Sequence, residues 1–284
     1  MPKLAASLLL AAGASLVAGC AGPDARVTGS AALTRADIET IVAAPDRSDA
    51  DRRNDLRRKP VDLLEFTGVR PGMTVLDVSA AGGYTSELLA RAVGPSGRVY
   101  GQTAPRDPNR APPAASESGA PATPAAPASS PAASASAPSP PSPFAVRIGR
   151  FQGNNMVQVV APFESPARDL RPGGVDLVTL MFNYHDMGHL GVDRARMNAA
   201  IFAALKPGGS YVIADHSGRP GTGISESGTL HRVEEALVRR EVEAAGFRLA
   251  AEGTFLRNPA DPRDRNVPDP PQPKDEFVLR FVKP

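Results

Sequence analysis

The segment 72–83 constrains the fold of this chain more than any other part of the sequence. An apolar, β-type stretch ends on Asp77, passes through the five small residues 79–83 and continues into a helix-like segment at 86–93. A tight turn of small residues between a strand and a helix is typical of open α/β sheets, where backbone N–H groups can approach a nucleotide-like ligand. The segment therefore predicts a parallel α/β sheet with a ligand crevice at the carboxyl end of this strand.

Strands and helices alternate along the rest of the chain. Apolar runs predict strands at 98–101, 156–160, 175–182 and 210–215, helical spacing predicts helices at 193–205 and 227–245, and two further β-like runs at 247–256 and 276–282 predict a terminal antiparallel hairpin. This alternation predicts a mainly parallel sheet with helices on both of its faces.

Two stretches before the first strand also have helical character. Thr34 is suited to cap a helix because an acidic residue follows three positions later. The strongly charged stretch 46–59 predicts a solvated helix with ion pairs between residues four apart. Pro60 permits a new helix to begin directly after it.

The first nineteen residues, 1–19, have the pattern of an export signal, with Lys3 followed by an apolar stretch too short to span a bilayer comfortably. The sequence Leu-Val-Ala-Gly-Cys that ends at Cys20 resembles a bacterial lipobox, so we expect lipidation of Cys20 and a tether over 20–33. The alternative is an ordinary secretory signal, with Cys20 incidental. The expected location is the bacterial cell envelope, lipid-anchored on the periplasmic side, and Ala21 favours the outer membrane. Cys20 is the only cysteine, so its lipidation would exclude disulfides and cysteine metal sites.

The remaining chain, 34–284, is expected to form one domain that a low-complexity insertion interrupts at about 104–143. Within 111–143, 30 of 33 residues are Ala, Pro or Ser, which cannot build a packed core and predict a disordered or polyproline-like segment. The net charge is +2, no basic block stands out and Trp is absent, so nucleic acid is not an expected partner.

The segment 72–83 resembles the first motif of class I S-adenosylmethionine-dependent methyltransferases, in which a Val-Leu-Asp strand leads into a Gly-x-Gly-x-Gly turn. Here the three glycine positions hold Ser79, Ala81 and Gly83. The Leu-Lys-Pro-Gly-Gly turn at 205–209 is a second feature that is frequent in this family. The chain is more narrowly similar to a group of bacterial predicted methyltransferases through Asn-Tyr-His-Asp at 183–186, Asp-His-Ser at 215–217 and a Leu-Arg-Asn-Pro segment at 256–264. The resemblance implies an α/β, Rossmann-like class I methyltransferase sandwich whose mainly parallel sheet has a C-terminal antiparallel strand.

The same resemblance implies S-adenosylmethionine as the cofactor. Asp77 would hold its methionine end, and Gln102 stands where an acidic residue usually accepts the ribose hydroxyls. The backbone around the turn would complete the site, with Ser79, Ala81, Gly82 and Gly83. Because Ser79 and Ala81 carry Cβ atoms, we expect them to lose the freedom to adopt positive φ.

Polar residues follow the fourth and fifth predicted strands and provide the candidate catalytic groups. His185 and Asp186 come after the fourth, and Asp215 and His216 end the fifth. Parallel strand ends meet at one edge of a sheet, so these side chains are expected to converge beside the turn, where a His–Asp pair could act as a general base. Asn183 and Tyr184 could position the methyl acceptor. The alternative is that all of them only hydrogen-bond loop backbone.

Three functions remain open at this point. The first is a methyltransferase that acts on an unknown small molecule and touches the membrane only through its lipid anchor. The second is a non-catalytic envelope protein that kept the crevice but changed its ligand, which Ser79, Ala81 and Gln102 favour. The third is a metal-dependent hydrolase that uses His185, His189 and His216. Gly188 weakens the helix that this metal spacing needs, so no metal site is predicted, and His231 is expected on the surface of a helix.

Overall fold

The computed structural model describes residues 31–105, 141–267 and 272–284. The predicted export signal, Cys20 and most of the predicted tether and insertion lie outside these ranges. Within them, we find no helix that combines the length and the apolar character needed to cross a bilayer.

A seven-stranded sheet forms the centre of the domain, with the strand order β3-β2-β1-β4-β5-β7-β6. Its strands are β1 (Thr74–Val78), β2 (Arg98–Thr103), β3 (Met156–Val160), β4 (Val175–Met181), β5 (Leu205–His216), β6 (Arg248–Gly253) and β7 (Glu276–Val282). The first five run parallel, whereas β7 pairs antiparallel with both β5 and β6. The predicted mainly parallel sheet with an antiparallel C-terminal hairpin is confirmed.

Helices cover both faces of the sheet, because consecutive residues of a central strand point into two different cores. In β1, Leu76 joins one apolar cluster and Val75 joins the other. The helices are α1 (Arg35–Val42), α2 (Asp49–Arg58), α3 (Pro60–Thr67), α4 (Tyr84–Val93), α5 (Pro143–Arg150), α6 (Asp186–His189), α7 (Arg194–Ala204) and α8 (Glu235–Ala244). Thr34 caps α1 as predicted, in a reciprocal pair with Asp37.

The charged helix α2 is not solvated in the way its composition suggested. Arg47, Asp51 and Arg58 are buried. Arg47 pairs with Asp55 at 2.7 Å, and Asp51 pairs at 2.8 Å with Arg147 on α5. These two pairs join residues 8 and 96 positions apart and not four, because part of the charged side of α2 packs against its neighbours.

Three element boundaries differ clearly from the sequence expectation. Strand β5 begins at Leu205 and not at 210, so the turn predicted at 205–209 lies within the strand. Strand β2 extends to Thr103, so Gln102 lies inside the strand and not after it. The helix predicted over 227–245 begins only at Glu235. The preceding residues run beside the end of β5, where the Val233 N–H donates to the His216 carbonyl at 3.1 Å. This docking pulls the chain out of a helix and gives His231 a positive φ of 51°.

Candidate functional site

The turn after β1 keeps the backbone shape that glycines would give it. Ser79 and Ala81 have φ values of 58° and 49°, and Gly83 has 78°. The expectation that the two Cβ-bearing residues would not adopt positive φ is therefore wrong. A left-handed conformation costs a non-glycine residue about 1–2 kcal/mol, so the surrounding structure must impose it. At Gly83 a glycine is required, because a Cβ there would lie 2.5 Å from a Phe144 ring carbon.

Gln102 holds the turn against the end of β2. Its buried side-chain carbonyl accepts a hydrogen bond from the Ser79 N–H at 2.8 Å, and its amide donates to the Ala161 carbonyl at 2.6 Å. The Ser79 hydroxyl in turn donates to Asn183 at 2.8 Å. Both polar ends of Gln102 thus have partners within the protein, and its predicted contact with a ribose stays a prediction.

Asp77 joins β1 to two neighbouring elements. Its carboxylate accepts hydrogen bonds from the hydroxyls of Ser86 on α4, at 2.5 Å, and Thr179 on β4, at 2.7 Å. Burial raises the pKa of Asp77 to about 6, because the two hydroxyls only partly offset the loss of water around the charged form. The carboxyl group therefore lies at the floor of the crevice and also tethers the start of α4.

The crevice above Asp77 is nearly filled by protein. A cavity of about 10 Å³ remains, and it is lined by Arg58, Asp77, Ser79, Ala80, Tyr84, Thr85 and Met181. Arg58, at the end of α2, is buried with its guanidinium carbon 4.0 Å from the centre of the Phe182 ring. Burial lowers the pKa of this side chain to about 9, with a smaller effect from Arg57. Sequence reasoning missed Arg58, because nothing distinguishes it from the other arginines of 46–59.

A larger cleft of about 420 Å³ lies on the other side of Tyr84, between α2, α4 and α5. Arg147 crosses it and donates to the Gly82 carbonyl at 2.5 Å. Asp51 and Glu87 accept from the same guanidinium at 2.8 and 2.6 Å, and Glu87 also pairs with Arg91 at 2.7 Å. These two carboxylates and two guanidiniums balance in charge.

The structure brings four of the predicted site residues together at the ends of β4 and β5. The His185 ring lies between two carboxylates, with Nδ1 2.6 Å from Asp215 and Nε2 3.1 Å from Asp186. Asn183 donates to the second Asp186 oxygen at 2.7 Å. Burial lowers the pKa of His185, but the two carboxylates outweigh it and raise the pKa to about 10. Burial by itself would raise the pKa of Asp186. The hydrogen bond from His185 and the positive charge of its ring outweigh this effect, so the pKa of Asp186 is lowered.

Two other predicted residues make their polar side-chain contacts outside this group. The buried His216 ring packs on that of His185, with 5.4 Å between the ring centres, but its Nδ1 lies 3.0 Å from Glu276. The Tyr184 hydroxyl lies in the core, where it donates to Glu241 at 2.7 Å and accepts from Asn198 at 3.0 Å. Of the two residues predicted to position the acceptor, only Asn183 therefore lies at the site.

Two further histidines join the group: His189, which the hydrolase alternative included, and His231, which no alternative assigned to a site. The Nδ1 atoms of His231 and His189 lie 3.5 and 3.8 Å from the Asp186 carboxylate. The expectation that His231 lies in a helix is wrong, because the chain before α8 folds back over the end of β5, but its side chain remains 37% exposed. The sequence holds no spacing signal for this contact, since 45 positions separate His231 from Asp186.

The strain in the turn predicts an unusual response to glycine. We expect Ala81→Gly to leave the free energy of unfolding unchanged or to raise it by up to about 1 kcal/mol, because relief of the left-handed conformation offsets the greater flexibility of glycine. Ala80→Gly, at a buried neighbour without positive φ, should lower it by about 1 kcal/mol. Urea unfolding followed by circular dichroism measures both, and equal destabilisation by the two changes would contradict the strain.

Comparison with solved structures identifies the fold. The chain is 17% identical to a chain of the complex between the Haloferax volcanii Trm112 methyltransferase activator and a proposed methyltransferase; the match covers 89% of this chain and 99% of that one, with a TM-score of 0.52. A SAM-dependent methyltransferase from Aquifex aeolicus is 16% identical over 89% of this chain and 100% of its own, with a TM-score of 0.49. No family model and no curated protein matches the chain. The Haloferax structure, together with the strand order, shows that the chain has the Rossmann-like fold of class I methyltransferases.

Proposed function

We propose that the protein is an S-adenosylmethionine-dependent methyltransferase that acts on a small molecule. The observation that carries this proposal is the left-handed backbone at Ser79, Ala81 and Gly83. Two of these residues adopt the conformation at a cost, and strain of this kind is typical of sites where the backbone shape serves a ligand. Helix α4 begins directly after the turn without a side-chain cap, so its positive end faces the crevice.

The backbone conformation of the turn suits the cofactor, but the cavity above the turn is too small to hold it. A cavity of about 10 Å³ has room for about one water molecule, whereas ligand sites usually enclose several hundred Å³. Binding would therefore have to displace the Arg58 side chain from the Phe182 ring, a rotamer change of the kind that often accompanies binding. The displaced guanidinium would pair with the methionine carboxylate, while the first N–H groups of α4 would hold the same end of the molecule. The cofactor supplies an activated methyl group.

The acceptor side of the site lies next to Asn183. This side chain accepts from Ser79 in the turn and donates to Asp186 in the histidine group, so it joins the two halves of the site. We assign the binding of the acceptor to Asn183 and Asp186, whose carboxylate is about one-fifth exposed. The pattern at 1–20 further supports a lipid-anchored location on the periplasmic side of the envelope.

Calorimetry on the full chain tests this function with S-adenosylmethionine and S-adenosylhomocysteine as ligands. We expect both to bind at one equivalent. Arg58→Met should weaken both by roughly 10- to 100-fold, because a charged hydrogen bond to the carboxylate is lost. Arg53→Met is the matched control: this exposed arginine of the same helix does not line the cavity, so its variant should bind as the wild type does.

Two results would count against the proposal. A folded wild-type chain that releases no heat with either ligand at millimolar concentration would exclude the methyltransferase function and favour a binding protein with another ligand. Equal affinities of the wild type and Arg58→Met would remove Arg58 from the site.

A further inference from the structure

Imidazole and carboxylate groups converge at the carboxyl ends of β4 and β5, outside the turn that would hold the cofactor. One ligand atom each from His185, Asp186 and His231 lies within 4.8 Å of the other two. The two histidine nitrogens are 3.1 and 3.5 Å from the same Asp186 oxygen. A tetrahedral ion with bonds of about 2.0–2.1 Å requires ligand atoms about 3.4 Å apart. The separations of Asp186 from the two histidines therefore match this value, and the two histidine nitrogens, at most 4.8 Å apart, would have to move together by no more than about 1.4 Å.

We propose that His185, Asp186 and His231 bind a divalent transition-metal ion such as Zn²⁺. Two imidazoles with one carboxylate suit zinc and its first-row neighbours, whereas Mg²⁺ and Ca²⁺ prefer oxygen ligands alone. This ligand set differs from that of the hydrolase alternative, because Asp186 and His231 take the places of His189 and His216. His216 faces Glu276 instead.

The surroundings of His185 orient it as a metal ligand. Its Nδ1 is 2.6 Å from the buried Asp215 carboxylate, which leaves Nε2 on the side of Asp186. Asp215 also accepts the backbone N–H groups of His185 and His216, so its position is set by three contacts. A carboxylate behind a ligating histidine fixes the ring and strengthens it as a donor. Metal binding would displace a proton from Nε2.

His231 is placed by a strained backbone that its neighbour secures. Its φ of 51° lies in the left-handed region, which is uncommon for residues other than glycine. The next residue, Arg232, is fully buried and donates to the Ser217 carbonyl at 2.9 Å and pairs with Asp261 at 2.9 Å. The protein therefore holds this conformation with a buried ion pair, which is expected where the direction of the side chain matters.

The proposed metal site is accessible from solvent, and the protein supplies only three ligands to it. His231 and Asp186 have side chains 37% and 20% exposed, so an ion can reach them. His189 is 3.8 Å from Asp186, but its Nδ1 lies 3.0 Å from the Ser227 hydroxyl, so it stands next to the three ligands and not among them. Three protein ligands with a free position are typical of metal sites that bind a further ligand.

Titration of Zn²⁺ into the full, metal-stripped chain tests the site, and Co²⁺ absorption reports its geometry. We expect one equivalent of Zn²⁺ and the intense visible bands of low-coordinate Co²⁺, with no competition from excess Mg²⁺. His231→Asn should weaken Zn²⁺ at least tenfold and abolish the Co²⁺ bands, because an amide is a poor ligand for these ions. The fold should survive, since Asn tolerates positive φ. Asp215→Asn should weaken Zn²⁺ by about 10- to 100-fold through His185.

His216→Asn is the matched control, because its ring packs on His185 but its Nδ1 faces Glu276. It should keep the Zn²⁺ stoichiometry. If this buried change prevents folding, the melting temperature with and without Zn²⁺ is compared between the wild type and His231→Asn. We expect Zn²⁺ to raise the melting temperature of the wild type and to leave that of His231→Asn unchanged. Unchanged Zn²⁺ binding in a folded His231→Asn variant, or no Zn²⁺ binding by the wild type, would overturn the proposal. Neither measurement uses S-adenosylmethionine, so the outcome is independent of the proposed function.

Discussion

Replacement of Arg232 by Met should lower the free energy of unfolding by about 3–5 kcal/mol, because it leaves a buried carboxylate without its main counter-charge. Arg232 and Asp261 are 2.9 Å apart, and their side chains are 0% and 1% exposed. Arg232 also donates to the carbonyls of Ser217 and Arg265, so the change leaves several buried acceptors without a donor. The segment that carries His231 would lose its anchor at the same time.

The size of this effect separates a buried ion pair from an exposed one. Arg239 pairs with Glu235 on the surface of α8, with both side chains more than one-fifth exposed, so Arg239→Met should cost less than about 1 kcal/mol. The double variant Arg232→Met with Asp261→Asn should recover part of the loss, since no charge is left buried. Urea unfolding followed by circular dichroism measures all three. Equal costs for Arg232→Met and Arg239→Met would show that Arg232 is not a structural anchor.

Replacement of Asp77 by Asn should make the stability of the protein less sensitive to pH. The folded pKa of about 6 lies above the ordinary 3.8, so between these values the folded state keeps a proton that the unfolded chain releases. Wild-type stability therefore falls as pH rises through this window, by about 3 kcal/mol in total for a shift of about two pKa units. An Asn amide can keep the bonds to Ser86 and Thr179 without a charge. The stability of Asp77→Asn relative to the wild type should thus increase from pH 4 to pH 7.

The exposed Asp37 provides a control of opposite sign. Hydrogen bonds from the Thr34 side chain and backbone lower the pKa of Asp37, so this group adds stability above its unfolded pKa and loses it as pH falls. Asp37→Asn should therefore become less stable relative to the wild type as pH rises, while Asp77→Asn becomes more stable. Urea midpoints across this pH range give both differences. A constant difference between Asp77→Asn and the wild type would contradict the raised pKa.

The strands of the sheet were largely predictable because their signal is local. Each parallel strand is a short apolar run between turn residues, and burial on both faces requires that pattern wherever the strand lies. Strand β3 begins and ends where its sequence predicts, and the turn at 79–83 appears between β1 and α4. Helix boundaries were less predictable near α8, because the apolar spacing of 227–234 also suits a chain segment docked on a strand end.

The histidine group was predictable in part. His185, Asp186 and Asp215 converge as expected, because parallel strands bring their carboxyl ends to one edge. Tyr184 alternates away from this edge into the core, where its hydroxyl meets Glu241. Arg58 and His231 reach their places from distant segments, and no local pattern records such contacts.

The sequence by itself determined the layer architecture, the position of the turn and the edge at which polar residues collect, since all three follow from the periodicity of apolar residues and the size of side chains along short segments. The tertiary structure alone decided which side chains at this edge of the sheet can contact a ligand and which are held by bonds within the protein. It held Ser79 and Ala81 in left-handed conformations, used Gln102 and Asp77 as internal tethers, and brought His231 to Asp186. These outcomes depend on contacts between residues far apart in the chain. Such contacts form only when the free energy gained from burial and hydrogen bonding exceeds the free energy lost to backbone strain.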